Sequence, residues 1–147
     1  MLKSIVGVIV GYLVIMFVAF AAYTAAYLGL GADRAFEAGT YALSGIWIGL
    51  VIAITLITGL VGGLTCAAIS KSRTAGLVFA VIVFVLGFVF ELPNLKKDHT
   101  PVARAGDVSN MEAMGKAQPP VWLCIFNPFL GGAAVLMGTR MKKSPAV

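Results

Sequence analysis

This chain is poor in charge. Only 12% of its 147 residues are Asp, Glu, Lys or Arg, about half the share found in soluble globular domains. Histidine occurs once and cysteine twice. One His, with no HxxxH, CxxC or Asp-rich loop elsewhere, does not supply the three or four convergent ligands that a metal site needs. His99 beside Asp98 is the nearest approach to one. No basic patch is interleaved with aromatics, so nucleic acid is not an expected partner. The long apolar runs hold no Asp, Glu, Lys, Arg or His, which speaks against proton relays and removes haem ligation by intramembrane His. Catalysis needs a positioned acid, base, nucleophile or metal. With none converging, the expectation is a protein that is not an enzyme and holds no cofactor.

Apolar sequence fills the space that charge leaves. The composition is 60% hydrophobic, and uncharged runs cover 4–32, 38–70, 74–90 and 117–139. A bilayer core takes about 20 apolar residues in a helix. The pattern predicts an all-α, integral membrane four-helix bundle of one domain over 1–147. Its helices cover about 4–30, 41–70, 74–91 and 119–139, chain neighbours run antiparallel, and an outer loop spans 91–118. The first run of 29 residues exceeds the roughly 7–15 apolar residues of a secretory signal, so it is expected to stay as the first helix.

Charge orients these spans. Lys3, Lys71, Arg73, Arg140, Lys142 and Lys143 lie on one side with no acid among them. Arg34, Lys96, Lys97, Arg104 and Lys116 face Asp33, Glu37, Glu91, Asp98, Asp107 and Glu112 on the other. Lys and Arg concentrate in short cytoplasmic flanks, so both termini are expected to be cytoplasmic, and anionic lipid is the expected surface contact. Cys66 lies five residues from Lys71, near the inner surface, and Cys124 lies just below Pro120, near the outer one. A disulfide needs Cα atoms within about 7 Å, so no bond between them is expected.

Small residues mark the packing faces. Gly7 and Gly11, Gly45 and Gly49, and Gly59 and Gly63 form three GxxxG pairs, a spacing that lets helix backbones approach in lipid. In the second span, positions 44, 48, 51, 55, 58, 62 and 65 repeat at heptad spacing. They place Ser44, Thr55, Thr58, Gly62 and Thr65 on one small, weakly polar face. Leu50, Ile57, Leu60 and Leu64 lie opposite. Thr55 and Thr58 can bond back to the preceding turn; the alternative reading lines a polar pathway with them. The third span is large and apolar all round, which suits a peripheral helix or a partner-facing one. Tyr23 and Tyr27, one turn apart, suit an interfacial belt, with a ligand contact as the other reading. Glu91 reads as a solvated end of the third span just before Pro93, or else as a functional group.

The fourth span opens with Pro120 and Trp122 and carries Asn127-Pro128 at mid-length. Proline has no N–H for the carbonyl four residues back, so a kink is expected. Asn127 shares a small face with Gly131, Ala134 and Gly138. It reads either as an interhelical hydrogen bond or as a hinge and ligand contact. Within the outer loop, Ser109 and Glu112 have capping-box spacing, which predicts a short helix over about 110–116 with Met111 and Met114 on one side.

Gly11-Tyr12-Leu13-Val14, Gly62-Gly63 followed by Ala67-Ala68-Ile69-Ser70-Lys71, Pro120-Val121-Trp122 and Gly138-Thr139-Arg140 resemble small four-span bacterial integral membrane proteins. The resemblance implies a multi-pass fold in the bacterial cytoplasmic (inner) membrane and no particular activity. The 91–118 segment is longer than the matching connection in that class. The leading functional expectation is a small non-catalytic accessory or scaffold subunit that packs against copies of itself or a larger membrane complex. The alternative is a small oligomeric transporter or channel, which the Asn127-Pro128 break and the Thr55/Thr58 face motivate.

Overall fold

Backbone N–H and C=O groups in apolar surroundings must be satisfied within their own segment. Each long apolar run therefore closes on itself as a helix. The computed structural model describes residues 1–96, 100 and 102–141. The Asp98–His99 pair and the basic end Lys142–Lys143 lie outside the described residues. Six helices occur among the described residues: α1 (Leu2–Leu30), α2 (Ala32–Ala35), α3 (Gly45–Ser70), α4 (Arg73–Lys96), α5 (Asn110–Lys116) and α6 (Val121–Met141). Of these, α1, α3, α4 and α6 are long and apolar enough to cross a membrane. The chain is thus all-helical and compatible with a multi-pass membrane protein.

Local chemistry sets the helix ends. Gly31 terminates α1 at a positive φ of 73°, a backbone region that glycine adopts without a steric penalty. The Ser44 hydroxyl caps α3 by accepting from the Trp47 N–H at 3.2 Å. The expected start of this helix near Tyr41 is corrected to Gly45. Tyr41 and Leu43 are buried in a tertiary cluster, and their backbone groups pair with distant segments rather than with a helix. The third span also departs from expectation, because it runs through Pro93 to Lys96 instead of ending at Glu91. The loss of one intrahelical bond at proline does not stop the final turn. By contrast, α5 starts where the capping-box spacing puts it: the Ser109 hydroxyl accepts from the Glu112 N–H at 3.3 Å.

Three large helix interfaces join α1 with α3, α3 with α6, and α6 with α4. In the first, Gly7 meets Cys66 and Ser70, Gly11 meets Gly62, and Tyr23 and Tyr27 meet Trp47. In the second, Thr55 meets Asn127, Gly59 meets Ala134, and Gly63 meets Gly138. Residue numbers rise together along α3 and α6. In the third, Gly76 meets Thr139, Gly132 meets Phe84, and Gly87 faces the Pro128 ring. Helix α6 therefore sits between α3 and α4. Its burial is correspondingly high, whereas α1 buries only Gly7, Gly11 and Tyr27. The third span, expected to be peripheral or partner-facing, stands at one edge of this row as α4; α1 stands at the other and is the most exposed, with Ile5, Ile9, Leu13, Phe17 and Phe20 on its open side.

Two buried clusters occupy opposite ends. At the end bearing Leu2 and Met141, Cys66, Phe79, Ala80 and Val135 pack with Val8, Tyr12 and Ile15 around them. At the other end, Tyr27, Ala35, Phe36, Tyr41, Leu43, Ala113 and Leu123 form the centre of a cap. Backbone bonds knit this cap from two distant segments: Tyr41 N–H to Val102 O at 3.1 Å, Arg104 N–H to Gly39 O at 2.8 Å, and Gln118 N–H to Tyr41 O at 2.9 Å. The Gln118 side chain adds a bond from the Val102 N–H at 3.1 Å and one to Thr100 O at 3.0 Å. Asp33 does not pair within its own loop. It binds Arg104 at 2.8 Å, 71 residues away, and the Arg104 guanidinium lies 6.0 Å from the Phe36 ring centre. Cys66 and Cys124 are both buried and are not joined to each other.

Candidate functional site

Beneath the cap, α1, α3, α4, α5 and α6 line a partly open cavity of about 350 Å³. This volume falls at the small end of the range for small-molecule pockets. The cavity exists because large rings stand between the helices here. Tyr23 and Tyr27 project from successive turns of α1 onto Trp47 of α3, with ring centres 6.4 and 6.1 Å from it. The Tyr27 ring meets the indole edge-on at 89°. Its hydroxyl donates to Val108 O at 2.6 Å, which ties α1 to the segment leading into α5.

The cavity floor is polar. The Thr55 hydroxyl donates to Asn127 Oδ1 at 2.8 Å across the α3–α6 interface, and the Tyr23 hydroxyl lies beside Thr55. On the α4 side Asn94 Nδ2 donates to Glu91 Oε2 at 2.8 Å, so the extra turn past Pro93 puts an amide next to the carboxylate. The roof is α5, where Asn110 Nδ2 donates to Thr24 Oγ1 at 3.3 Å and Ala113, Met114 and Ala117 turn inward. Outside the roof, Glu112 Oε1 accepts from the Tyr41 hydroxyl and the Lys116 ammonium, both at 2.9 Å. These contacts act on titration. The Lys116 ammonium, and then the Tyr41 hydroxyl, hold the Glu112 carboxyl below its ordinary value. The Glu112 hydrogen bond raises Lys116. Burial, followed by the same carboxylate, raises Tyr41.

The structure brings several singled-out residues to this cavity and leaves others elsewhere. Asn127, Tyr23, Tyr27 and Glu91 line it, with Thr55 bonded to Asn127 at its floor. Pro128 is buried one residue beyond Asn127 and faces Gly87 of α4. Thr58 is buried and bonds back to Ile54 O at 2.8 Å. Gly7 and Gly11 face α3, Gly62 faces Ile15 of α1, and Gly59 and Gly63 face α6. A methyl group on Gly63 would land on the Val135 carbonyl, and one on Gly59 would lie 2.6 Å from the Ala134 Cβ. Gly131 has ordinary contacts to Val83 and Thr55 at 3.6 and 3.7 Å. Nothing lies within 4 Å of Gly45 or Gly49, so among the described residues no helix packs on them. Gly45 lies where α3 only begins, and Gly49 points away from α1 and α6.

Trp47, Asn94 and Asn110 were not foreseen. Trp47 carried a readable signal, being an aromatic at the start of a span across from the Tyr23/Tyr27 pair. Asn94 stands three residues after Glu91, but that spacing has meaning only if the helix continues past Pro93. Asn110 depends on tertiary docking of α5. Among the described residues, no three His, Cys, Asp or Glu side chains come together as metal ligands. The arrangement can hold a molecule with an apolar body and a polar head, using aromatic walls, amide hydrogen bonds and one carboxylate. Comparison of the chain with protein-family profiles, curated proteins and solved structures gives no match.

Proposed function

We propose that this chain is a small non-catalytic protein of the bacterial cytoplasmic membrane, an accessory or scaffold subunit that packs against a copy of itself or a larger membrane complex. In this reading α1, α3, α4 and α6 form a four-helix bundle with antiparallel chain neighbours and a kink at Pro128, and both termini face the cytoplasm. One observation carries the assembly reading. Gly45, Gly49 and Ala53 recur every fourth residue on the exposed side of α3, with open space over both glycines and exposed Ile46 and Ile57 flanking them. The other two GxxxG pairs are filled from within the chain. In lipid, an unfilled small-residue groove is where a second helix backbone approaches.

The test is native mass determination after mild-detergent extraction of the tagged chain from its own membrane. An oligomer or a stoichiometric partner is expected, together with its loss in Gly49→Ile and its retention in Gly49→Ala. Recovery of the native chain strictly as a monomer overturns the reading. The hydrogen-bonded Thr55–Asn127 pair at the cavity floor favours a second reading, a small oligomeric transporter or channel for a small solute. It requires that Asn127→Leu abolish a solute flux measured in reconstituted vesicles.

A further inference from the structure

We infer that the capped cavity is a binding site for an organic ammonium ion, a positively charged nitrogen carried on an apolar body. This inference stands on the interior of one chain, independent of how chains assemble. Its basis is the electrostatic character of the walls. Tyr23, Tyr27 and Trp47 line one side with rings at 6.4 and 6.1 Å separations. Aromatic faces are the negative part of the ring quadrupole and attract cations, most of all where water is excluded. Glu91 lines another side and lies near enough to Tyr23 to act on it electrostatically. One of its oxygens accepts from Asn94, and an ionised carboxylate still has further acceptor sites.

None of the lining residues is basic. Two cations of the cap are paired with other carboxylates, Arg104 with Asp33 and Lys116 with Glu112. An anion would meet a carboxylate and no basic side chain. A neutral apolar body would leave the Glu91 carboxylate and the Asn127 amide beside it without a polar partner from the ligand. A cation with an apolar shell satisfies both kinds of wall. The volume of about 350 Å³ suits one such small molecule. An ammonium of this kind can arrive free in solution or as the headgroup of a lipid, and the chemistry of recognition is the same.

The test uses choline and its uncharged isostere 3,3-dimethylbutan-1-ol, titrated by calorimetry into the purified chain in nanodiscs of phosphatidylglycerol. A Trp122→Phe background leaves Trp47 as the sole tryptophan, and its emission reports on the cavity. Choline is expected to bind at least about tenfold tighter than the alcohol and to shift Trp47 emission. Glu91→Gln should erase most of that ratio while leaving alcohol binding unchanged. Tyr23→Leu should weaken choline, and Tyr23→Phe, which keeps the ring, should restore it. Disappearance of the choline signal in phosphatidylcholine nanodiscs assigns the lipid headgroup as the natural source; persistence assigns a free molecule. Equal affinity for choline and the alcohol overturns the inference, as does absence of choline binding. An unchanged ratio in Glu91→Gln, with native Trp47 emission, overturns it as well.

Discussion

The two ends of the helix assembly solve opposite packing problems. At the end bearing Leu2 and Met141, backbones meet directly. Gly11, Gly59, Gly62, Gly63, Gly76 and Gly138 have neighbours so close that an added methyl would collide, and Cys66, Phe79 and Val135 are fully buried between them. At the capped end the same helices are separated by rings, hydrogen-bonded side chains and a cavity. Close packing in lipid relies on dispersion and shape, so it tolerates little change. The capped end relies on polar bonds and a knitted lid, and it keeps room for another molecule. Rigidity and access are thus separated along the length of one set of helices.

The sharpest way to break this contrast is to fill a seam at the rigid end. Gly63→Leu drives a side chain into the Val135 carbonyl and Gly138. The expected loss is at least about 3 kcal/mol, seen as unfolding or aggregation in a detergent melt. Gly29→Ala, where nothing lies within 4 Å, should change the melt by no more than about 1 kcal/mol, in the stabilising direction. The next largest effect belongs to the capped end. Tyr27→Phe removes the bond to Val108 O and should cost about 1 kcal/mol. Faster hydrogen exchange should appear over 102–118, with exchange near Cys66 and Phe79 unchanged.

The smallest effect is a pH response confined to the cap. Glu112 is lowered in the folded state, so its contribution is present above its ordinary value and fades as pH falls through the lower folded one. Lys116 and Tyr41 are raised. Their contributions are present below their ordinary values and fade as pH rises through the folded ones. The docking of α5 should therefore be firmest between about pH 4.3 and about pH 10, followed by NMR of the Ala113 and Lys116 amides. A response of equal size at the Gly63 amide would erase the distinction between the two ends.

What could be read from the sequence follows the range of the forces involved. The four apolar runs, the Ser109 cap and the short α5 are local and were legible. The Gly7/Gly11 and Gly59/Gly63 pairs carried their spacing openly, but spacing alone did not distinguish them from Gly45/Gly49, which no helix among the described residues covers. Tyr41 looked like the start of a span because it opens an uncharged stretch. Its burial in the cap depends on Val102 and Gln118, some 60 and 77 positions away, which periodicity cannot register. At the cavity, Thr55 and Asn127 each stood out as polar groups in apolar runs. Their pairing needed α3 and α6 to be brought side by side.

The placement of α6 between α3 and α4 has a consequence for how the chain comes into being. Chains are made from the N-terminus, so α1, α3 and α4 exist before the helix that joins α3 to α4 along its whole length. Until α6 arrives, Gly59 and Gly63 of α3 and Gly76 and Gly132's counterpart Phe84 of α4 border an empty berth. Tyr41 likewise waits for Val102 and Gln118. Assembly is therefore staged: residues 102–118, on which the lid depends, are made before α6, and a nascent chain stalled between the two has the lid's segments but not the seam.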